Sequence, residues 1–139
     1  MTGPITSRIQ ASFDQQNLMA TFDATLRSVT QGKVEITAPI RDNVLQQQGF
    51  AHAGLTFALG DTAAGYAALS LLPEDQEVVT AEIKINLLAP GVGDHLIARG
   101  RVLKPGRRLV VVASDVFAVK GGTETHIAAL QGTMVPVPI

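Results

Sequence analysis

The chain has 139 residues, enough for one domain (residues 1–139) with a modest single core. It is 46% hydrophobic and 17% charged, which excludes a disordered chain. A net charge of −1 and aromatics limited to five Phe and one Tyr speak against nucleic-acid binding, which needs basic excess and stacking rings; zero Cys exclude disulfides, thiolate zinc sites and a cysteine nucleophile.

The opening MTGPITSRIQASFDQQN lacks a basic segment followed by an apolar run. A secretory signal is therefore not expected, and a cytoplasmic location is. Ile5, Ile9 and Phe13 recur every four residues and predict a short amphipathic helix over about Thr6 to Asn17. Phe22, Ala24, Leu26 and Ser28 share one parity. After Gln31-Gly32, Val34, Ile36 and Ala38 oppose Lys33, Glu35 and Thr37, which reads as a hairpin ending at Pro39. Ile40–Ala51 is polar and irregular, with Gln46 to Gln48 followed by Gly49.

His52 to Leu72 reads as one long helix, with Pro73 marking its end. Ala53–Leu72 is long enough to span a bilayer, but Gly54, Gly60, Asp61 and Gly65 interrupt it and alternating segments follow. A buried central helix is expected instead, and no membrane association. Val79, Ala81, Ile83, Ile85 and Leu87 then alternate with Thr80, Glu82, Lys84 and Asn86. By strict alternation Thr80 shares a side with Glu82 and Lys84. Further strands are expected over about His95–Leu103, Arg108–Val119 and Glu124–Val135, with turns at Pro105-Gly106 and Gly121-Gly122. In the last two strands both parities are partly apolar. Such a sheet meets something on each face. The helix covers one, and a partner subunit is expected on the other. The fold class is α+β, an antiparallel sheet of about six strands wrapped around one long central helix.

Several chemistries are missing. There is no GxSxG elbow, no phosphate-binding GxxxxGK[ST], and Gly91-Val92-Gly93 lacks the third glycine of a dinucleotide fingerprint. His52, His95 and His126 are far apart and form no metal-binding HxxxH pair, so neither a metal site nor a cofactor is expected. What remains is Asp61, the single formal charge between His52 and Glu74. Asp is a poor helix former, and a helix apolar on nearly every face is buried. A buried carboxylate needs a partner, a proton or a wet cavity. Taken alone, Asp61 fits either a catalytic carboxylate or an Asp bonded to the sheet backbone or lying on a solvated strip. Gly49-Phe50-Ala51-His52-Ala53-Gly54 runs into the helix start, where free N–H groups and the helix dipole can stabilise an oxyanion.

Gln46 to Ala68, QQQGFAHAGLTFALGDTAAGYAA, resembles the helix-start motif of hotdog-fold acyl-CoA thioesterases, closest to the phenylacetate-degradation (PaaI-like) type. That pattern is HGG or HAG with an acid nine residues after the His, the spacing of His52 and Asp61. Val79–Pro90 looks like the family's next strand, and Val102–Leu109 (VLKPGRRL) resembles its later G-[RK]-x-L turn. The resemblance covers about Leu18 to Val135. It implies hydrolysis of a small or medium acyl-CoA, with CoA as part of the substrate. The Ala53 N–H would polarise the thioester carbonyl. Asp61 would act as general base or nucleophile, and Thr80 would help hold the water. Gln46 would replace the family's Asn six residues before the His, with Gln48 as a substitute. His52 is read as a structural hydrogen-bonder more than as a catalyst. Lys104, Arg107 and Arg108 would meet the CoA nucleotide and phosphates, chemistry that suits Arg. The few aromatics suggest an acyl pocket lined by Ala, Leu, Val and Phe57.

Spacing adds one argument of its own. Ala53 and Asp61 are eight residues apart on one helix. They are therefore about 12 Å apart along its axis, too far for one carbonyl to use both. Two antiparallel helices related by a two-fold axis solve this, which predicts a site at the interface of a homodimer, itself expected to assemble into a homotetramer. A non-catalytic acyl-CoA-binding hotdog module and a hotdog dehydratase, which relies on a catalytic His paired with an acid, are the competing readings.

Overall fold

The computed structural model describes residues 3–139. The elements are α1 (Pro4–Asp14), α2 (Asn17–Thr21), β1 (Thr25–Thr30), β2 (Lys33–Pro39), a 3-10 turn (Asp42–Val44), α3 (Ala53–Leu69), β3 (Gln76–Leu87), β4 (His95–Pro105), β5 (Val110–Lys120) and β6 (Thr123–Pro138). The strands form one six-stranded sheet in the order β1-β2-β4-β5-β6-β3, every neighbour antiparallel. The sheet wraps around α3, giving the expected α+β hotdog architecture. β3, the strand that follows the helix, returns to the far edge beside β6. Among the described residues no helix is long and apolar enough to cross a membrane.

Helix and sheet meet closely because small residues line the contact. A Cβ on Gly100 would lie 2.4 Å from the Ala63 backbone, and one on Gly60 would lie 2.9 Å from Leu130. Ala63, Ala64, Ala67 and Ala68 are fully buried on the same helix face. The tight β5–β6 hairpin uses Gly121 and Gly122 at φ 56° and 82°, the left-handed conformation such turns need.

Three boundaries differ from expectation. The first helix stops at Asp14 and a separate short helix follows, so β1 begins at Thr25 and not at Phe22. Helix α3 ends at Leu69 and not at Leu72, because the amides of Leu71 and Leu72 turn back to Ala68 and Leu69 and tighten the chain. Ser70 fixes this end: its hydroxyl donates to Ala67 (2.6 Å) and accepts from Gly32 N–H (2.7 Å). Strand β3 starts at Gln76, where Arg8 of α1 holds the backbone. Its guanidinium donates to the carbonyls of Leu72 and Pro73 at 3.1 Å and to that of Gln76. Buried Ile9 and Phe13 then seat α1 on the core.

The outer sheet face carries paired charges beside its apolar residues. Phe117 carries the Arg99 guanidinium 4.9 Å from its ring centre, and His126 stacks on it with centroids 4.9 Å apart. Arg99 pairs with Glu124 (2.8 Å) and Glu35 (3.2 Å), while Asp115 bridges Arg101 (2.6 Å) and His126 (3.0 Å). Long charged side chains cover this face with their stems. Open apolar surface also lies on β3, with Val79 and Leu87, and on α3, with Phe57.

Candidate active site

Helix α3 is buried against the sheet through Leu55, Leu59, Ala63 and Ala67. Its other side is not covered, contrary to the expectation of a helix buried all round. Ala53, Phe57, Asp61 and Gly65 follow one another at intervals of four and are exposed or half-buried. They form one open stripe along the helix.

Asp61 is held from the sheet. The β3–β6 register shifts between Thr80 and Glu82, where Thr80 pairs with Met134 and Glu82 with Thr133. This bulge inserts a residue and reverses the alternation. Thr80 therefore leaves the side of Glu82 and donates its hydroxyl proton to Asp61 Oδ1 at 2.9 Å. For the same reason Val79, expected on the apolar side, is half exposed (50%). Burial raises the Asp61 carboxyl above the ordinary aspartate value, and the Thr80 bond partly offsets this. The chain thus holds a single carboxylate that is desolvated and more basic than usual, the condition of a general base.

The start of α3 supplies the complementary group. His52 is the N-cap, and its Nδ1 accepts the Gly54 N–H at 2.8 Å. A Cβ at Gly54 would lie 2.9 Å from that nitrogen, so glycine keeps the cap intact. The Ala53 N–H has no backbone acceptor among the described residues. Ala53 lines a cavity of about 490 Å³ at the positive end of the helix dipole. Gln46, Gln48, Phe50 and Leu88 line the same cavity. Gln46 chiefly closes its own loop, its Oε1 accepting from the Gln48 and Phe50 amides and its Nε2 donating to Gln48 Oε1 at 3.2 Å.

A second, smaller cavity of about 230 Å³ contains Asp61 and Thr80. None of the residues lining one cavity lines the other. Within one chain the donor and the base are therefore apart, as the helix spacing requires. Phe57 lines neither of the two and lies exposed on the open stripe between Ala53 and Asp61.

The family model of the thioesterase superfamily matches residues 48–125. The chain belongs to the thioesterase superfamily. Hydrolysis of thioesters is the chemistry of that superfamily. A thioesterase family protein from Silicibacter pomeroyi shares 36% identity at a TM-score of 0.95, over 97% of this chain and 99% of its own. The PaaI protein of the E. coli phenylacetic acid degradation operon has the same fold, with 22% identity and a TM-score of 0.85 over 96% and 93% of the two chains. A Saccharolobus solfataricus protein carrying the provisional name of an esterase is 29% identical over 93% of this chain and 83% of its own.

The thioesterase match includes His52, Ala53, Asp61 and Thr80 but begins after Gln46 and after α1. The basic turn is exposed, and none of Lys104, Arg107 and Arg108 forms a salt bridge among the described residues. It adjoins Val110, which pairs with Met134, itself paired with Thr80. The turn thus lies at the Asp61 end of the sheet and not at the Ala53 end. Sequence reasoning missed Ser12, Gln16 and Tyr66, which line the Asp61 cavity. The first-helix pattern marked only its apolar face.

Removing the Thr80 hydroxyl tests the assignment of the base. Thr80→Val deletes a bond that favours the charged carboxylate, so the Asp61 pKa rises further. The acid limb of the kcat/KM profile against pH is expected to move to higher pH. An unmoved limb with lower activity throughout would mean that Thr80 does not act through Asp61.

Proposed function

We propose that this thioesterase hydrolyses acyl-CoA thioesters to free acid and CoA, with each active site shared by two protomers of a homodimer. The observation that carries the reading is the open α3 stripe, with a free N–H at Ala53 and a desolvated carboxylate at Asp61. Antiparallel pairing of two such helices sets each Ala53 N–H against the other protomer's Asp61. The free edge of β3, with Val79 and Leu87 exposed at 50% and 59%, supports the same two-fold contact.

In this reading the carbonyl oxygen accepts the Ala53 N–H. Asp61, oriented by Thr80, takes a proton from water as its oxygen attacks the carbonyl carbon. The negative charge passes to the carbonyl oxygen and is stabilised at the helix N-terminus. Collapse of this intermediate breaks the C–S bond, and the departing thiolate takes the proton held by Asp61, which restores the base. The acid and CoA leave. His52 spends its Nδ1 lone pair on the cap. That disfavours a dehydratase built on this histidine.

Incubation with a panel of acyl-CoAs, read as free thiol release, tests the function. Binding of acyl-CoA without thiol release would favour a non-catalytic module. The basic turn carries a separate expectation. Arg107→Ala with Arg108→Ala should raise KM for an acyl-CoA about tenfold, as loss of charge-assisted phosphate bonds does. The same acyl group on N-acetylcysteamine, which has no phosphates, should show no such rise. Equal effects would make the turn a solvated surface feature.

A further inference from the structure

The cavity beside Asp61 has a polar far wall that hydrolysis itself does not need. Tyr66 reaches it from α3, Ser12 from α1 and Gln16 from the link between α1 and α2. Ser12 Oγ and Tyr66 Oη share a hydrogen bond of 2.9 Å, and Gln16 Nε2 donates to Tyr66 Oη at 2.7 Å. The ring is anchored, with Tyr66 only 5% exposed and set against Phe13. Arg8 pins the helix that carries Ser12, and Gln16 follows two residues after that helix ends.

Counting protons and lone pairs shows what this wall lacks. Two hydroxyls joined by one hydrogen bond use one of their two protons. The other proton has no acceptor among the described residues. The carbonyl oxygen of Gln16 likewise accepts no bond among them, since only its Nε2 is engaged. The wall therefore offers one donor and one acceptor. A hydroxyl group satisfies both at once. An alkyl end would leave both unpaired on desolvation, and an anionic end would meet Asp61 and Glu77 on the same walls.

We infer that Ser12, Gln16 and Tyr66 determine acyl specificity, and select a short acyl group that ends in a hydroxyl. The inference rests on the thioesterase reading above and names its substrate class. Tyr66 lies five residues beyond Asp61 on α3. Their Cα atoms are then about 7.5 Å apart along the axis, which sets the chain lengths to test at roughly four to eight carbons. Gly65 opens the floor between them, for a Cβ there would touch only Met134, at 3.9 Å. The family match starts at residue 48, so the α1 part of this wall lies outside it.

The test uses unbranched acyl-CoAs from butanoyl to octanoyl, each with and without a terminal hydroxyl. Wild type should favour the hydroxylated member by about tenfold in kcat/KM at its best length, the effect of one well-made hydrogen bond. Tyr66→Phe and Gln16→Leu should each bring that ratio toward one. The ratio between CoA and N-acetylcysteamine thioesters of one acyl group should stay fixed. Gln16→Leu keeps the tyrosine anchor, so a lost ratio there is not a consequence of a loosened helix. No preference at any length, or variants that change the thiol ratio in place of the acyl ratio, would overturn the assignment. Dissociation constants for the matching non-hydrolysable thioethers separate this from the catalytic reading. A hydroxyl preference in binding with no turnover of any thioester would overturn hydrolysis and keep the wall; turnover without a hydroxyl preference would do the reverse.

Discussion

Asp61→Asn is expected to lower kcat by about 10²–10⁴-fold, the range for loss of a general base, while the protein becomes more stable at neutral pH. Asn keeps the shape and can still accept the Thr80 hydroxyl, but it cannot take a proton from water. The stability gain follows from linkage. Burial raises the Asp61 pKa in the folded state above its unfolded value. The protonated form therefore favours folding, and that contribution is complete below the unfolded pKa and lost as pH rises through the folded one. At neutral pH the charged side chain opposes folding, and a neutral Asn removes that cost. A thermal melt of both proteins at neutral and at acidic pH reads this directly. The advantage of Asn should shrink in acid, where Asp61 is itself neutral. Wild-type turnover by the variant would remove Asp61 from the chemistry.

Mixing two inactive variants is expected to restore activity if donor and base come from different protomers. Ala53→Pro removes the helix-start N–H. Ala53 is the first helical residue, where proline is tolerated, and His52 before it has the extended φ −61°, ψ 139° that a following proline requires. Asp61→Asn removes the base. In a mixed dimer one site has neither defect and the other has both. With random pairing at equal amounts about half the dimers are mixed, so about one quarter of wild-type activity should return. The mixed species is confirmed by mass spectrometry after co-expression. Confirmed mixed dimers as inactive as their parents would place the oxyanion donor and Asp61 in one chain. Their separate cavities and the roughly 12 Å helix spacing argue against that.

Much of this was legible in the residues. The largely apolar run from Ala53, with Asp61 as its one charge, marked the central helix. Period-two patterns marked β2 and β3, because a half-buried strand alternates, and turn residues marked the bounds of the later strands. The His52–Asp61 spacing placed a carboxylate two turns into that helix. Other features were not local. Thr80 stands on the polar side by alternation, and only the β3–β6 bulge turns it to Asp61. A bulge arises from the pairing of two distant strands, so strict alternation in one strand cannot show it. The apolar outer residues of β5 suggested a second buried face. Only the fold shows that Arg99 and His126 from neighbouring strands lie over Phe117 on that face.

The sequence by itself determined the element types, the order of the elements and the identity of the one carboxylate on an apolar helix, because each depends on periodicity and local charge. Tertiary structure alone decided which groups meet. It turned Thr80 onto Asp61, left the stripe of Ala53, Phe57, Asp61 and Gly65 open, and carried Ser12 and Gln16 across fifty residues to Tyr66. Those contacts depend on register and on the seating of α1. Both are set by packing between segments far apart in the chain, which local patterns do not encode.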